Sequence, residues 1–266
     1  MSQGRGRGYT LVEILIALVI LLVVAGAMHR LLLSTQRLTR LQARQSELQS
    51  ALRAGALVVA NELRELGPHD LLRLAPAAVT YRAMRGVGFL CQTPTPTTLR
   101  VARQGFTGHR DPQAGRDTAY VLLAAAESTA VWQPLAVTGV SAGSSCPGAV
   151  RSGIGVTVPS TPALLGLEPG TPVRFTEVME LRLYQSDGES WLGARSVSAG
   201  EPVQPVIGPL AAGNGLALEY FSGAAIPTSD PSSIRGIRVT LRGQVDGGER
   251  EESLTTVAVL RNVARP

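Results

Sequence analysis

The sequence predicts an α+β protein: one long N-terminal helix, apolar in its first half and amphipathic in its second, packed on a β-rich, mainly antiparallel globular head. Three observations carry this. All 17 prolines of the 266-residue chain lie at Pro68 or later, with 23 of the 29 glycines, so residues 1–67 lack the strongest helix breaker and the rest is rich in turn formers. Leu11–Met28 is an apolar run interrupted only by Glu13. From Pro68 onward, short apolar and β-branched runs alternate with Gly and Pro. A hydrophobic content of 44% against 17% charged residues, with two cysteines, excludes a disordered chain and a disulfide-dense miniprotein.

Charge follows the same division. The net charge is +5 and the chain contains no lysine. Residues 1–67 hold 8 Arg and 4 acidic residues, leaving 17 Arg and 16 acids for residues 68–266. A basic balance invites a nucleic-acid reading, but the second part is close to neutral. Aromatics at 4% are also few for a protein that stacks single-stranded bases. Nucleic acid is therefore not expected as a partner.

Arg5 and Arg7 precede the apolar run and place the N-terminus on the cytoplasmic side. The run Leu11–Met28 is just long enough, at about 1.5 Å per residue, to cross a bilayer core of roughly 30 Å. A cleaved secretory signal ending at Ala25-Gly26-Ala27 and an ordinary single-span anchor both fit that length. Neither accounts for Glu13, because a carboxylate in hydrocarbon costs several kcal/mol and normally has a partner or a task.

The segment Gly8-Tyr9-Thr10-Leu11-Val12-Glu13 resembles the processing motif of type IV prepilins: a basic leader ending in Gly, an aromatic residue, Thr-Leu and then Glu. The family usually has Phe where this chain has Tyr9. The resemblance implies that a prepilin peptidase cuts between Gly8 and Tyr9 and methylates the new amine on Tyr9. In a filament that amine would meet the Glu13 carboxylate of a neighbouring subunit, each charge offsetting the other's desolvation and fixing axial register. The alternative is a protonated Glu13 without a partner.

Beyond Met28 the helical pattern continues. Leu31, Leu38, Leu52, Val59 and Leu66 share one seven-residue register, with Gln45 as its polar member, and Leu41, Leu48, Ala56 and Leu63 widen the stripe. Arg30, Arg37, Arg40 and Arg44 form a row expected to be a solvated face or a lipid-headgroup contact. Gly67-Pro68 is the stop signal. One helix from Thr10 to Leu66 would measure about 85 Å, with Gly26 as its weak point. The predicted organisation is a leader over 1–8, a transmembrane and stem helix over 9–67, and a head over 68–266.

In the head the predicted strands are Thr98–Phe106, Thr118–Ala125, Val131–Val140, Val173–Gln185, Trp191–Val197, Leu216–Phe221, Ile234–Gln244 and Ser253–Leu260. Asp187-Gly188 and Asp246-Gly247-Gly248 are hairpin signals. Ala75–Arg85 reads equally as helix or strand. A sheet leaning on the stem would bury Leu52, Val59 and Leu63. Trp191-Leu192 with Arg195, Pro205-Val206-Ile207 with Leu210, Leu216–Tyr220 before Ile234–Leu241, and the closing Val259–Asn262 resemble W-type minor pilins and the J-type pseudopilins of type II secretion. Leu48–Gly67 is similar to the stem of the W-type proteins. Residues 91–170 resemble neither and are expected to be a lineage-specific insertion.

Gly139-Val140-Ser141-Ala142-Gly143 spells G-x-S-x-G, the nucleophile elbow of α/β-hydrolases. That fold places its triad histidine after the serine, and His29, His69 and His109 all precede Ser141. No catalytic residue is expected. Metal-ligand spacings are absent from the sequence, and the acidic turn of Asp246, Glu249, Glu251 and Glu252 reads as a solvated loop rather than a calcium site; no metal and no cofactor is expected. Cys91 and Cys146 form a disulfide if the head lies in an oxidising compartment, the alternative being two free buried thiols.

The resemblance implies a non-catalytic minor pilin, an assembly subunit of a type IV pilus. It would sit in the inner membrane with its N-terminus cytoplasmic and then enter a filament with its head periplasmic or extracellular. Its partners would be other pilin or pseudopilin subunits, the prepilin peptidase and the inner-membrane assembly platform. The alternatives are a type II secretion pseudopilin and, from another class, an adhesive or DNA-uptake module displayed on a filament through residues 91–170.

Overall fold

A computed structural model describes residues 10–123, 131–147, 152–245 and 250–261. Helix α1 spans Leu11–Arg64, 54 residues. It stops two residues short of the predicted end. Leu66 N–H bonds back to Leu63 at 3.2 Å in a tightened last turn, and Gly67-Pro68 then leads into a 3₁₀ turn at Pro68–Asp70. The Asp70 carboxylate accepts the Gly67 N–H at 2.8 Å, satisfying a group the proline turn would otherwise leave unpaired.

The chain divides into two units, residues 1–50 and 51–266. In the first, the apolar side chains from Leu11 to Leu41 are exposed along the helix. In the second, Leu52, Gly55, Ala56, Val59, Ala60 and Leu63 are buried against the head, whereas Leu57 and Val58 on the opposite side are exposed. The predicted i, i+3, i+4, i+7 stripe is thus realised over the last turns. Gly55 is what lets the helix approach: a Cβ there would lie 2.3 Å from Ile207 Cδ1 and 3.2 Å from Leu241 Cδ1.

The head is built from β1 (Leu71–Ala75), β2 (Ala78–Phe89), β3 (Thr98–Ala102), β4 (Thr107–Gly108), β5 (Asp117–Leu123), β6 (Val131–Ala136) and β7 (Gly139–Ser145). These are followed by β8 (Ser152–Thr157), β9 (Pro172–Ser186), β10 (Glu189–Ser196), β11 (Gln204–Leu210), β12 (Leu216–Ser222), β13 (Ile234–Val245) and β14 (Arg250–Val259). Among the described residues they form an eight-stranded sheet with the path β1-β2-β9-β10-β11, to which β4 adds on β2 and β5-β6 on β9, and two three-stranded sheets, β12-β13-β14 and β3-β8-β7. Each pairing is antiparallel. Strand β9 is the spine: β2 runs along one side, while β5 and then β10 share the other.

The Asp187-Gly188 hairpin forms as predicted, both residues at positive φ (54° and 80°), the geometry a two-residue turn between twisted strands requires. The ambiguous segment 75–85 is strand, folded into the β1–β2 hairpin around Pro76-Ala77. Predicted strand 131–140 is two strands, because Val131–Ala136 joins the large sheet and Gly139–Ser145 joins β8. Strand β11 escaped prediction because it carries Pro205 and Pro209; it lies at the sheet edge, where missing N–H donors are tolerated. The Asp246-Gly247-Gly248 turn lies outside the described residues.

Residues 91–170 share a core with their surroundings. Leu99, Val101, Ala119, Val121, Leu135, Ile154 and Val156 pack with Val173 and Phe175 of β9 in one buried cluster. Cys91 and Cys146 are joined by a disulfide with Cα atoms 5.6 Å apart, tying the segment after β2 to the end of β7. The C-terminal sheet is held to the large one by Ala211 N–H to Arg242 O (2.8 Å), Leu218 N–H to Pro76 O (2.7 Å) and Tyr220 Oη to Ala75 O (3.1 Å).

Candidate assembly site

The first described residues build a helix start. Thr10 N–H donates to Glu13 Oε2 at 3.0 Å, Thr10 Oγ1 donates to the same oxygen at 3.1 Å, and Glu13 N–H donates to Thr10 Oγ1 at 3.3 Å. This is a reciprocal capping box: the threonine satisfies an orphan amide of the first turn and the glutamate returns to the cap. The carboxylate also sits at the positive end of the helix dipole. Glu13 therefore has an internal set of donors at the head of an apolar, exposed helix that is long enough to cross a membrane. Its outward surroundings are Ile14, Ala17, Leu18 and Leu21. Gly8 and Tyr9 lie outside the described residues.

In the second unit, the end of α1 is fastened to the head by charge. Glu62 accepts from Arg85 at 3.2 Å and from Tyr81 Oη at 3.4 Å. The Arg85 Nε donates to Glu177 Oε2 at 2.7 Å. Glu177, only 2% exposed, also receives Arg110 at 3.1 Å and Arg116. Arg110 is held by the fully buried Asp117 through two bonds of 2.6 Å, and Arg116 also pairs with Glu201. Burial alone would raise the Glu177 pKa. Hydrogen bonds from Ser196, Arg85 and Arg110 and the Arg85 charge outweigh it and hold the carboxyl at about 2. The Tyr81 hydroxyl is pushed well above its ordinary value by burial and then by the Glu62 charge. This cluster positions the helix; it is an ion network with its carboxylates committed.

The remaining sequence candidates are dispersed. Gly139–Gly143 runs along β7, paired with β8 from Gly139↔Thr157 to Ala142↔Ile154, not at the strand-to-helix turn a nucleophile elbow requires. His109 Nε2 lies 3.8 Å from Glu65, the His69 carbonyl accepts from Arg82 at 2.7 Å, and His29 is exposed on α1. Among the described residues no three His, Cys, Asp or Glu side chains are grouped to hold a metal. Of the acidic turn, Glu251 faces Arg242 at 3.6 Å, and Asp246 and Glu249 lie outside the described residues.

Residues 4–28 match a family model described as the prokaryotic N-terminal methylation motif. The chain thus carries a type IV pilin-like prepilin motif, on a chain with one long N-terminal apolar helix and an antiparallel β-rich head. No curated protein and no solved structure matches the chain.

Sequence reasoning missed the ion network. One signal for it existed: Glu177 shares its strand face with Val173, Phe175 and Leu181, so an acid stands at a core-facing position of β9. Its partners come from separate segments and carry no such mark.

Proposed function

We propose that this protein is a minor pilin, a non-catalytic assembly subunit of a type IV pilus. Prepilin peptidase would process it between Gly8 and Tyr9, and its N-terminal helix would carry it into the filament. The observation that carries the reading is the methylation motif, residues 4–28, running into a 54-residue helix whose first turn holds Glu13. The membrane-capable run supports a single pass with the N-terminus cytoplasmic and the head periplasmic or extracellular. The Cys91–Cys146 bridge supports the oxidising side. Other pilin subunits, the peptidase and the inner-membrane assembly platform are the partners this implies.

Mass spectrometry of the mature N-terminus tests the processing. A chain that begins with methylated Tyr9 supports the reading; a start at Met28 rejects it. Glu13→Ala should then be processed yet excluded from filaments, and normal incorporation would remove the assigned role of Glu13. The same N-terminus would serve a type II secretion pseudopilin. Deletion of the gene separates the two, abolishing surface pili in one case and export of secreted enzymes in the other.

A further inference from the structure

The solvent-facing side of the large sheet carries a second polar constellation. Strand alternation and the pairings Met84↔Thr176 and Tyr120↔Arg174 bring Arg82, Met84, Arg174, Tyr120 and Trp132 onto one face. They line a cleft of about 130 Å³ at the end of α1. The Arg174 guanidinium lies 4.4 Å over the Trp132 ring and that of Arg82 lies 5.9 Å from the Tyr120 ring. Among the described residues neither guanidinium has a carboxylate within ion-pair distance, and Arg82 spends one N–H on the His69 carbonyl. Of the acids on the rim, Asp70 accepts from the Gly67 amide and Glu65 faces His109.

An arginine held within about 6 Å of an aromatic ring centre is oriented by it, and its N–H donors remain available for a planar, two-oxygen acceptor. Two such arginines beside the apolar Met84 define a site for one carboxylate with a short aliphatic stem. The volume suits a single acidic side chain and is small for a nucleotide. A sugar would have to displace an arginine to stack on the face it covers, whereas a carboxylate adds to the guanidinium edge. The two rim carboxylates disfavour a polyanion such as nucleic acid. We propose that this cleft binds a single glutamate or aspartate side chain presented by a partner protein. The inference is independent of the filament reading.

The test is calorimetric titration of the full-length chain in a non-ionic polyoxyethylene detergent with N-acetyl-glutamate α-methylamide, N-acetyl-glutamine α-methylamide, galactose and a short oligothymidylate. The glutamate derivative, whose only carboxylate is the side chain, should bind saturably with a Kd of about 1–10 mM. Arg174→Gln and Arg82→Gln should each weaken it about tenfold or more, and the glutamine derivative should not bind. Arg174 is exposed and Arg82 half-buried, so circular dichroism and melting should match the parent's for Arg174→Gln and confirm the fold of Arg82→Gln; Trp132→Leu provides a third variant that removes the platform without touching charge, and it too should weaken binding. Absence of saturable binding overturns the proposal, as does equal binding of the glutamine derivative or unchanged affinity in all three variants. Tighter binding of galactose or of oligothymidylate, lost in the same variants, overturns it in favour of a saccharide or nucleic-acid site.

Discussion

Glu62, in the last turns of α1, and Arg85, on β2, form an ion pair at 3.2 Å, and the same guanidinium donates to the buried Glu177 at 2.7 Å. Arg85 thereby couples the helix to the interior of the head. Removing a buried partner leaves an uncompensated charge, which costs more than the pair itself contributes. Arg85→Gln should destabilise the head by about 2–4 kcal/mol. Glu62→Gln, at a site 30% exposed, should cost no more than about 1 kcal/mol. Urea unfolding of the full-length chain in micelles, followed by tryptophan fluorescence, checks the ranking. Equal costs would mean that Arg85 acts mainly through Glu62.

The Glu177 carboxyl, held at about 2 against an ordinary 4.5, makes stability depend on pH. Its folded pKa is lowered, so the unfolded chain binds the proton first. The contribution is full above about pH 4.5 and is lost as pH falls toward 2. Melting temperatures measured across that window should fall steeply in the parent. The slope should be shallower in Glu177→Gln, whose side chain takes up no proton there, and an unchanged slope would assign the acid sensitivity to other carboxylates.

Leu63 is fully buried and Leu57 is 64% exposed on the same helix. Leu63→Ala should cost about 2–5 kcal/mol through lost transfer energy and the cavity left behind. Leu57→Ala should stay within about 0.5 kcal/mol. The same unfolding measurement compares them, and a large loss at Leu57 would show that the outer face of α1 is covered in solution.

The Cys91–Cys146 bridge spans 55 residues. In the chain-entropy model, closing a loop of this length stabilises the fold by about 4 kcal/mol. Reduction, or the double variant Cys91→Ser/Cys146→Ser, should lower stability by about 2–4 kcal/mol. Strands β3, β7 and β8 should open first, since the bridge lies at their edge. Amide exchange at Leu99, Val101 and Val156 reads that local opening. Thiol labelling that finds both cysteines free in the native protein would remove the premise.

Local signals made the long helix, its stop shortly before Gly67-Pro68 and the Asp187-Gly188 hairpin legible in the sequence. Proline exclusion, seven-residue spacing and a turn dipeptide each act within a few residues. What the sequence left open depends on partners far along the chain. Val131–Ala136 and Gly139–Ser145 look like one strand until their different sheets are known, and β11 hides behind two prolines that only an edge position permits. The ion network joins residues 62, 85, 110, 116, 117, 177 and 201, and no spacing rule links them. The prepilin motif is readable because its chemistry requires fixed order, whereas Thr10, a member of that motif, has a second role as helix cap that only geometry reveals.

That second role leads to a measurement at the N-terminus. The Glu13 amide is one of the four first-turn donors that lack a helical partner, and Thr10 Oγ1 supplies one. Thr10→Val keeps the side chain's shape and removes both that acceptor and a donor to the Glu13 carboxylate. A lost cap costs about 0.5–2 kcal/mol, which corresponds to roughly a 2- to 30-fold rise in the exchange rate of the Glu13 amide. Thr35→Val, which removes a hydroxyl bond to Leu31 O in mid-helix, should leave that amide unchanged. Hydrogen exchange of the full-length chain in micelles distinguishes the two variants. Unaltered exchange at Glu13 in Thr10→Val would mean that the first turn is held by something other than its cap, and the internal satisfaction of Glu13 argued above would fall with it.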